Sequence, residues 1–98
     1  MTGVALVRLA LFPQGTRVQY DALARRLAAA PVPPERLLFA AGPVEGGWQV
    51  VQVWTSREAL DAFNAAHLLP ALAALGPAGF PLPPQVTDVE PVDLSVSG

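Results

Sequence analysis

The stretch at residues 46–69, GGWQVVQVWTSREALDAFNAAHLL, constrains the fold of this chain more than any other. Two glycines open it and allow positive φ in a turn. A strand-forming segment with two tryptophans follows, and an amphipathic helix comes directly after it. Val50, Val51 and Val53 mark residues 48–55 as a strand. By the period of two, Trp48, Val50, Gln52 and Trp54 share one face, and Gln49, Val51, Val53 and Thr55 share the other. Thr55 with Glu58 matches a capping box, and Ser56 is an alternative N-cap. At helical spacing Ala59, Leu60, Phe63 and Ala71 form an apolar stripe, with His67 in its middle. Pro70 is expected to kink or restart the helix, and Gly76 to end it.

The remaining segments fall into place around this unit. Residues 4–12 are apolar and rich in strand formers, as in a central strand buried on both faces. Arg8 breaks that run on the side of Leu6 and Ala10. Its head reaches solvent or a carboxylate, or else contacts an anion in a pocket. Thr16 and Gln19 predict a capping box for a helix running to about residue 29. That helix has Tyr20, Leu23 and Leu27 on its inner face, together with Ala24 and Ala28. Asp21 is spaced to pair with Arg17 and Arg25 outside. Pro31, Pro33 and Pro34 stop the helix. Residues 36–42 form a second strand, residues 77–84 a proline-rich crossing, and residues 85–96 a last strand. Pro91 marks that strand as an edge, a bulge or an exchanged segment. Asp88 and Glu90 share one of its faces, as a solvated edge or as an acid/base pair.

The order β-α-β-β-α-β predicts a ferredoxin-like α+β fold in a single domain over residues 1–98, a four-stranded antiparallel sheet with two helices on one face. The opposite face is then bare and apolar. Apolar residues make up 52% of the chain and charged residues only 14%, against about 25% in average soluble domains. So much apolar surface calls for a partner, and two such sheets face to face give a dimeric α/β barrel. The expected partner is a second copy of the chain, forming a homodimer through the helix-free sheet face.

Composition also excludes several functions. The formal charge is −2, with no basic stripe for nucleic acid. The chain has no Cys and a single His, which leaves no ordinary zinc site, thiol nucleophile or disulfide framework. The apolar N-terminus lacks a basic leader and a cleavage site. Residues 62–87 carry no charge, yet repeated Pro and Gly interrupt them as a membrane span. A cytoplasmic protein without membrane contacts is expected. The glycines of residues 42–47 form a hairpin turn, with no helix N-terminus after them to hold phosphate. Ser56 and Ser95 have no base nearby in sequence.

The segment VVQVWTSREALDAF, residues 50–63, resembles the antibiotic-biosynthesis-monooxygenase group of dimeric α/β-barrel proteins. The shared element is a strand ending in Val-Trp, followed by x-Ser-x-x-Ala and an aromatic or aliphatic residue opening the second helix. The hairpin, helix and C-terminal Pro-Val segment are also similar to short bacterial members of that superfamily. The resemblance implies a pocket between sheet and helices. Some relatives oxidise polycyclic aromatics there with O₂ and no cofactor. Others degrade haem, using a strand Asn, a strand-end Trp and a helix His. Trp54 matches that Trp, the first strand has no Asn, and His67 stands further from Trp54 than the haem ligand does.

Taken from the residues alone, the pocket would be lined by Trp48, Gln52, Trp54, Tyr20, Phe63, Asn64 and His67. Aromatic walls with a few polar groups suit a small aromatic ligand. His67 would be the catalytic proton-transfer group, in a cofactor-independent monooxygenase acting on an apolar or aromatic substrate. The alternative is a non-catalytic dimerisation or binding module. There the tryptophans and Tyr20 are core with satisfied donors, and His67 is a packing residue partnered by Asn64 or Gln52.

Overall fold

The structure is a computed structural model, and it describes residues 5–95. Its elements are β1 (Leu6–Pro13), α1 (Arg17–Leu27), β2 (Arg36–Val44), β3 (Gly47–Trp54), α2 (Arg57–Phe63), a π-helical turn (Asn64–Leu68), α3 (Leu69–Leu75), a short 3₁₀ turn (Gly76–Ala78) and β4 (Gln85–Val89). The four strands make one sheet in the order β2-β3-β1-β4, with every neighbouring pair antiparallel. This is the ferredoxin-like α+β arrangement expected from the sequence. Val4 and Val96, expected at the outer ends of the first and last strands, lie outside the described residues.

Local sequence accounts for most boundaries. Thr16 caps α1 by accepting from the Gln19 amide, and the Gln19 side chain accepts from the Thr16 amide in return. Arg17 pairs with Asp21 at 3.5 Å, whereas Arg25 makes no such pair among the described residues. Ser56, not Thr55, caps α2, through its Oγ and the Ala59 amide at 3.1 Å. The amide of Thr55 instead donates to the Glu35 carbonyl, which ties the end of β3 to the start of β2. Gly47 lies against β1 so closely that a Cβ there would stand 2.1 Å from the Phe12 carbonyl oxygen. Only glycine permits that approach.

Two expectations need correction. The last strand ends at Val89 rather than near residue 96. Pro91 offers no N–H to the ladder and biases the residue before it, so pairing stops just ahead of it. Pro70 also leaves the helix unbroken. Helical backbone is continuous from Arg57 to Leu75, and Gly76 ends it as expected, with φ +52°, before the short 3₁₀ turn. By length and composition alone the stretch Arg57–Ala78 could cross a membrane. The chain accommodates the proline by opening one turn before it, where the Leu69 amide donates to the Asn64 carbonyl five residues back. That wider turn relieves the clash a proline ring makes with the carbonyl four residues earlier.

The core is the helix-covered side of the sheet. Ala10, Phe12, Trp48 and Val50 cluster under Tyr20 and Phe80, and Leu6 and Trp54 cluster under Leu60. Phe12 stacks on Phe80 and Tyr20 on Trp48, with centroids 4.1 and 5.1 Å apart.

Candidate ligand cavity and its polar row

Between these two clusters the helices stand off the sheet and leave a cavity of about 410 Å³. Its floor is the helix-facing side of β1 and β3, and α1, the π turn and α3 form its roof. Most of the lining is aliphatic or aromatic. Phe39, Val86 and Leu69 in its wall are 41%, 49% and 59% exposed, so solvent reaches it.

One row of side chains runs across the helix-facing side of the sheet, and two of them, Arg8 and Gln52, are the polar groups of the cavity floor. Antiparallel register sets Phe39, Gln52, Arg8 and Asp88 side by side on β2, β3, β1 and β4. Arg8 donates to both Asp88 oxygens, from Nε at 2.8 Å and from Nη2 at 2.9 Å. Arg57 at the start of α2 donates to Asp88 Oδ2 at 2.9 Å. These three charge-assisted bonds, the Arg8 bonds foremost, hold the Asp88 carboxyl down from 3.8 to about 2. The bond to Asp88 likewise raises Arg8, so the pair stays ionised across the ordinary pH range. The bidentate pairing uses two of the five Arg8 N–H groups and leaves both on Nη1, with one on Nη2, as donors.

Gln52 is oriented by its neighbour on the strand. Trp54 Nε1 donates to Gln52 Oε1 at 2.9 Å. An indole N–H can only donate, so the amide oxygen faces it and the amide NH₂ is the free end. The floor therefore offers donors: Arg8 Nη1 and Gln52 Nε2. The hydroxyl of Tyr20 stays protonated, because burial raises its pKa above the ordinary value.

Arg36 supplies a second cation to the wall. Its guanidinium lies over the Phe39 ring, 4.7 Å from the centroid, and 6.0 Å from that of Phe63. The strand irregularity between Arg36 and Leu38 puts an extra residue into β2. Arg36 and Phe39 then share the helix-facing side, which strict alternation would deny them. For that reason sequence reasoning missed both residues, and no local signal announces the bulge.

The predicted site residues divide. Tyr20, Gln52, Phe63 and Asn64 line the cavity. Trp48 and Trp54 do not, since both are buried in the flanking clusters. Trp54 has its donor satisfied, but Trp48 Nε1 is buried without a partner among the described residues. His67 faces a separate groove between α1 and α3, beside Arg26, Ala30 and Ala71. The expected opening between Trp54 and His67 is filled by Phe63, 5.8 Å from one ring and 5.1 Å from the other. The physical reason is the π turn. It adds a residue to the helical repeat, so Leu68 takes the cavity-facing place that α-helical spacing gives to His67.

The cavity does not fit haem in the manner that the sequence resemblance implies. The one helix His lies outside it, and β1 contributes Arg8, Ala10 and Phe12 to its lining rather than an Asn. Among the described residues no group of three or more His, Asp or Glu side chains could hold a metal ion.

The architecture matches solved structures from end to end. A crystal structure of a protein of unknown function from Nitrosomonas europaea superposes with a TM-score of 0.65 at 20% identity, covering 100% of this chain and 97% of that one. A crystal structure of a proposed antibiotic biosynthesis monooxygenase from Caulobacter crescentus gives 0.63 at 22% identity, over 94% and 92% of the two chains. This chain shares their fold. At these identities the likeness extends to the fold alone. No protein-family profile and no curated protein matches the chain.

Proposed function

We propose that this domain binds a small, largely apolar molecule carrying an oxygen acceptor, in the cavity between sheet and helices. The observation that carries this reading is an apolar cavity of about 410 Å³ whose polar floor presents donors from Arg8 and Gln52. An acceptor oxygen pairs with those donors, and the aliphatic and aromatic walls cover the rest of the ligand. The finer reading is a cofactor-independent monooxygenase. An electron-rich phenol or enol gives electrons to O₂ once it is deprotonated, and nearby arginines favour the deprotonated form. The function of the Caulobacter protein, as proposed, supports that chemistry by fold likeness only.

A non-catalytic binding module is the second reading, and one observation favours it. No carboxylate or imidazole side chain lines the cavity among the described residues, and His67 stands in the other groove. Deprotonation would therefore rest on a substrate acidic enough to give its proton to water. The same proposal includes a homodimer through the helix-free sheet face, where Val7, Leu9, Leu11 and Val51 lie, and a cytoplasmic site of action with no nucleic-acid or membrane partner. Leu60 and Ala71 of the helical stretch Arg57–Ala78 are buried inside the domain, which supports an amphipathic helix packed on its own sheet and neighbouring helix.

Fluorescence titration with N-phenyl-1-naphthylamine, a neutral apolar probe, tests the binding claim. The wild type is expected to bind it, Ala24→Phe to lose it by filling the cavity, and His67→Ala to keep affinity within about twofold. Oxygen uptake with naphthohydroquinone then separates the two readings. Uptake above the protein-free rate that Ala24→Phe abolishes supports the oxygenase. Binding without uptake leaves the binding module.

A further inference from the structure

Charge is segregated into the cavity. The chain carries a net charge of −2, yet both charged side chains in the cavity lining are arginines. They are not equivalent. Arg8 is engaged by Asp88 through two hydrogen bonds. Arg36 has no carboxylate partner and no side-chain hydrogen bond among the described residues. It lies instead over the Phe39 ring, 4.7 Å from the centroid, with Phe63 nearby. A cation held over a ring needs no hydrogen-bond partner there, so the guanidinium keeps N–H groups for an anion. Those groups form a fork suited to two oxygens of an anion.

Three further observations show that Arg36 is aimed rather than incidental. The bulge in β2 is what turns it to the helix-facing side, and bulges commonly re-aim a side chain beside a site. It lines the cavity from β2 together with Tyr20 of α1, which faces the same space. The two rings that hold it are themselves cavity walls, so a ligand ring can lie against the same surface as the cation.

Resting on the proposal that the cavity binds a ligand, we infer that Arg36 selects for an oxyanion carried on an aromatic ring. The ligand class is thus a compact aromatic acid, a carboxylate or an ionised phenol, with its charge at Arg36 and its ring against Phe39 and Phe63. Arg8 and Gln52 meet a second oxygen on the ligand, if it has one. Neutral aromatics of the same shape occupy the cavity with lower affinity, because they leave the fork of Arg36 unfilled.

The test is competition against N-phenyl-1-naphthylamine by 2-naphthoate and by its neutral isostere 2-naphthamide. In the wild type the carboxylate is expected to compete about ten- to a hundredfold better than the amide. Arg36→Gln should abolish that difference, chiefly by lowering the affinity for the carboxylate, and Arg36→Lys should keep part of it. Added salt should narrow the wild-type preference, a readout that needs no variant to fold. A wild type with no preference for the carboxylate overturns the inference, as does a preference that survives Arg36→Gln. If the probe and both competitors fail to bind the wild type, the ligand-binding proposal itself falls and this one falls with it.

Discussion

Asp88 receives three charge-assisted hydrogen bonds from two arginines on different elements, and its side chain is about one-fifth exposed. Its carboxyl is held at about 2, chiefly by the bond to Arg8. A folded pKa below the unfolded one stabilises the protein above the unfolded value, near 3.8, and that contribution is lost as pH falls through the folded value. We expect wild-type stability to drop by on the order of 1–2 kcal/mol between about pH 4 and pH 2 on account of this group. In Asp88→Asn that slope should flatten, and stability at neutral pH should be lower by a similar amount or more, because Arg8 is left half-buried without its counter-charge. Urea unfolding of both proteins across that pH range checks the claim, and an unchanged slope in the variant would refute it. The sequence identified Arg8 as an exception on its face and offered a carboxylate as one partner. It could not say which carboxylate, because Arg8 and Asp88 lie 80 positions apart.

At the scale of elements the telling feature is the π turn ahead of Pro70. It carries an extra residue and gives the proline ring room. Pro70→Ala alone should change stability by less than about 1 kcal/mol, since the turn is already open. Deleting exposed Ala65 should close the turn to α-helical spacing, bring Pro70 against the carbonyl four residues before it, and cost about 3 kcal/mol. Combining the deletion with Pro70→Ala should restore most of that loss. Failure of the double change to recover stability in urea unfolding would show that Pro70 is not the reason for the turn. Caps were legible because a capping box spans three residues. Two of the departures from expectation, His67 turned away and Arg36 turned in, each follow from a single extra residue. Periodicity arguments assume no such insertion.

For the whole molecule, the helix-free sheet face is the open question of assembly. Val7, Leu9 and Leu11 of β1 and Val51 of β3 lie on that face, and Leu38 and Val89 at its two edges are 39% and 45% exposed. The proposed homodimer predicts a light-scattering mass of two chains at micromolar concentration. It also predicts that Val51→Lys shifts the protein toward one chain, because burying an unpaired ammonium in an apolar interface is strongly unfavourable. A wild-type mass of one chain would sink the dimer, and the probe titration would then test the cavity in the monomer.

The sequence alone determined the element order, the fold class, the Thr16 cap and four of the cavity residues. Each rests on short-range periodicity, turn chemistry and capping, which act within a few residues. Tertiary structure alone decided that Asp88 closes on Arg8, that Phe63 stands between Trp54 and His67, and that Arg36 looks into the cavity. Those outcomes depend on register between distant strands and on one-residue insertions. A bulge or a π turn is set by the packing of neighbouring elements, and no local pattern in the chain encodes it.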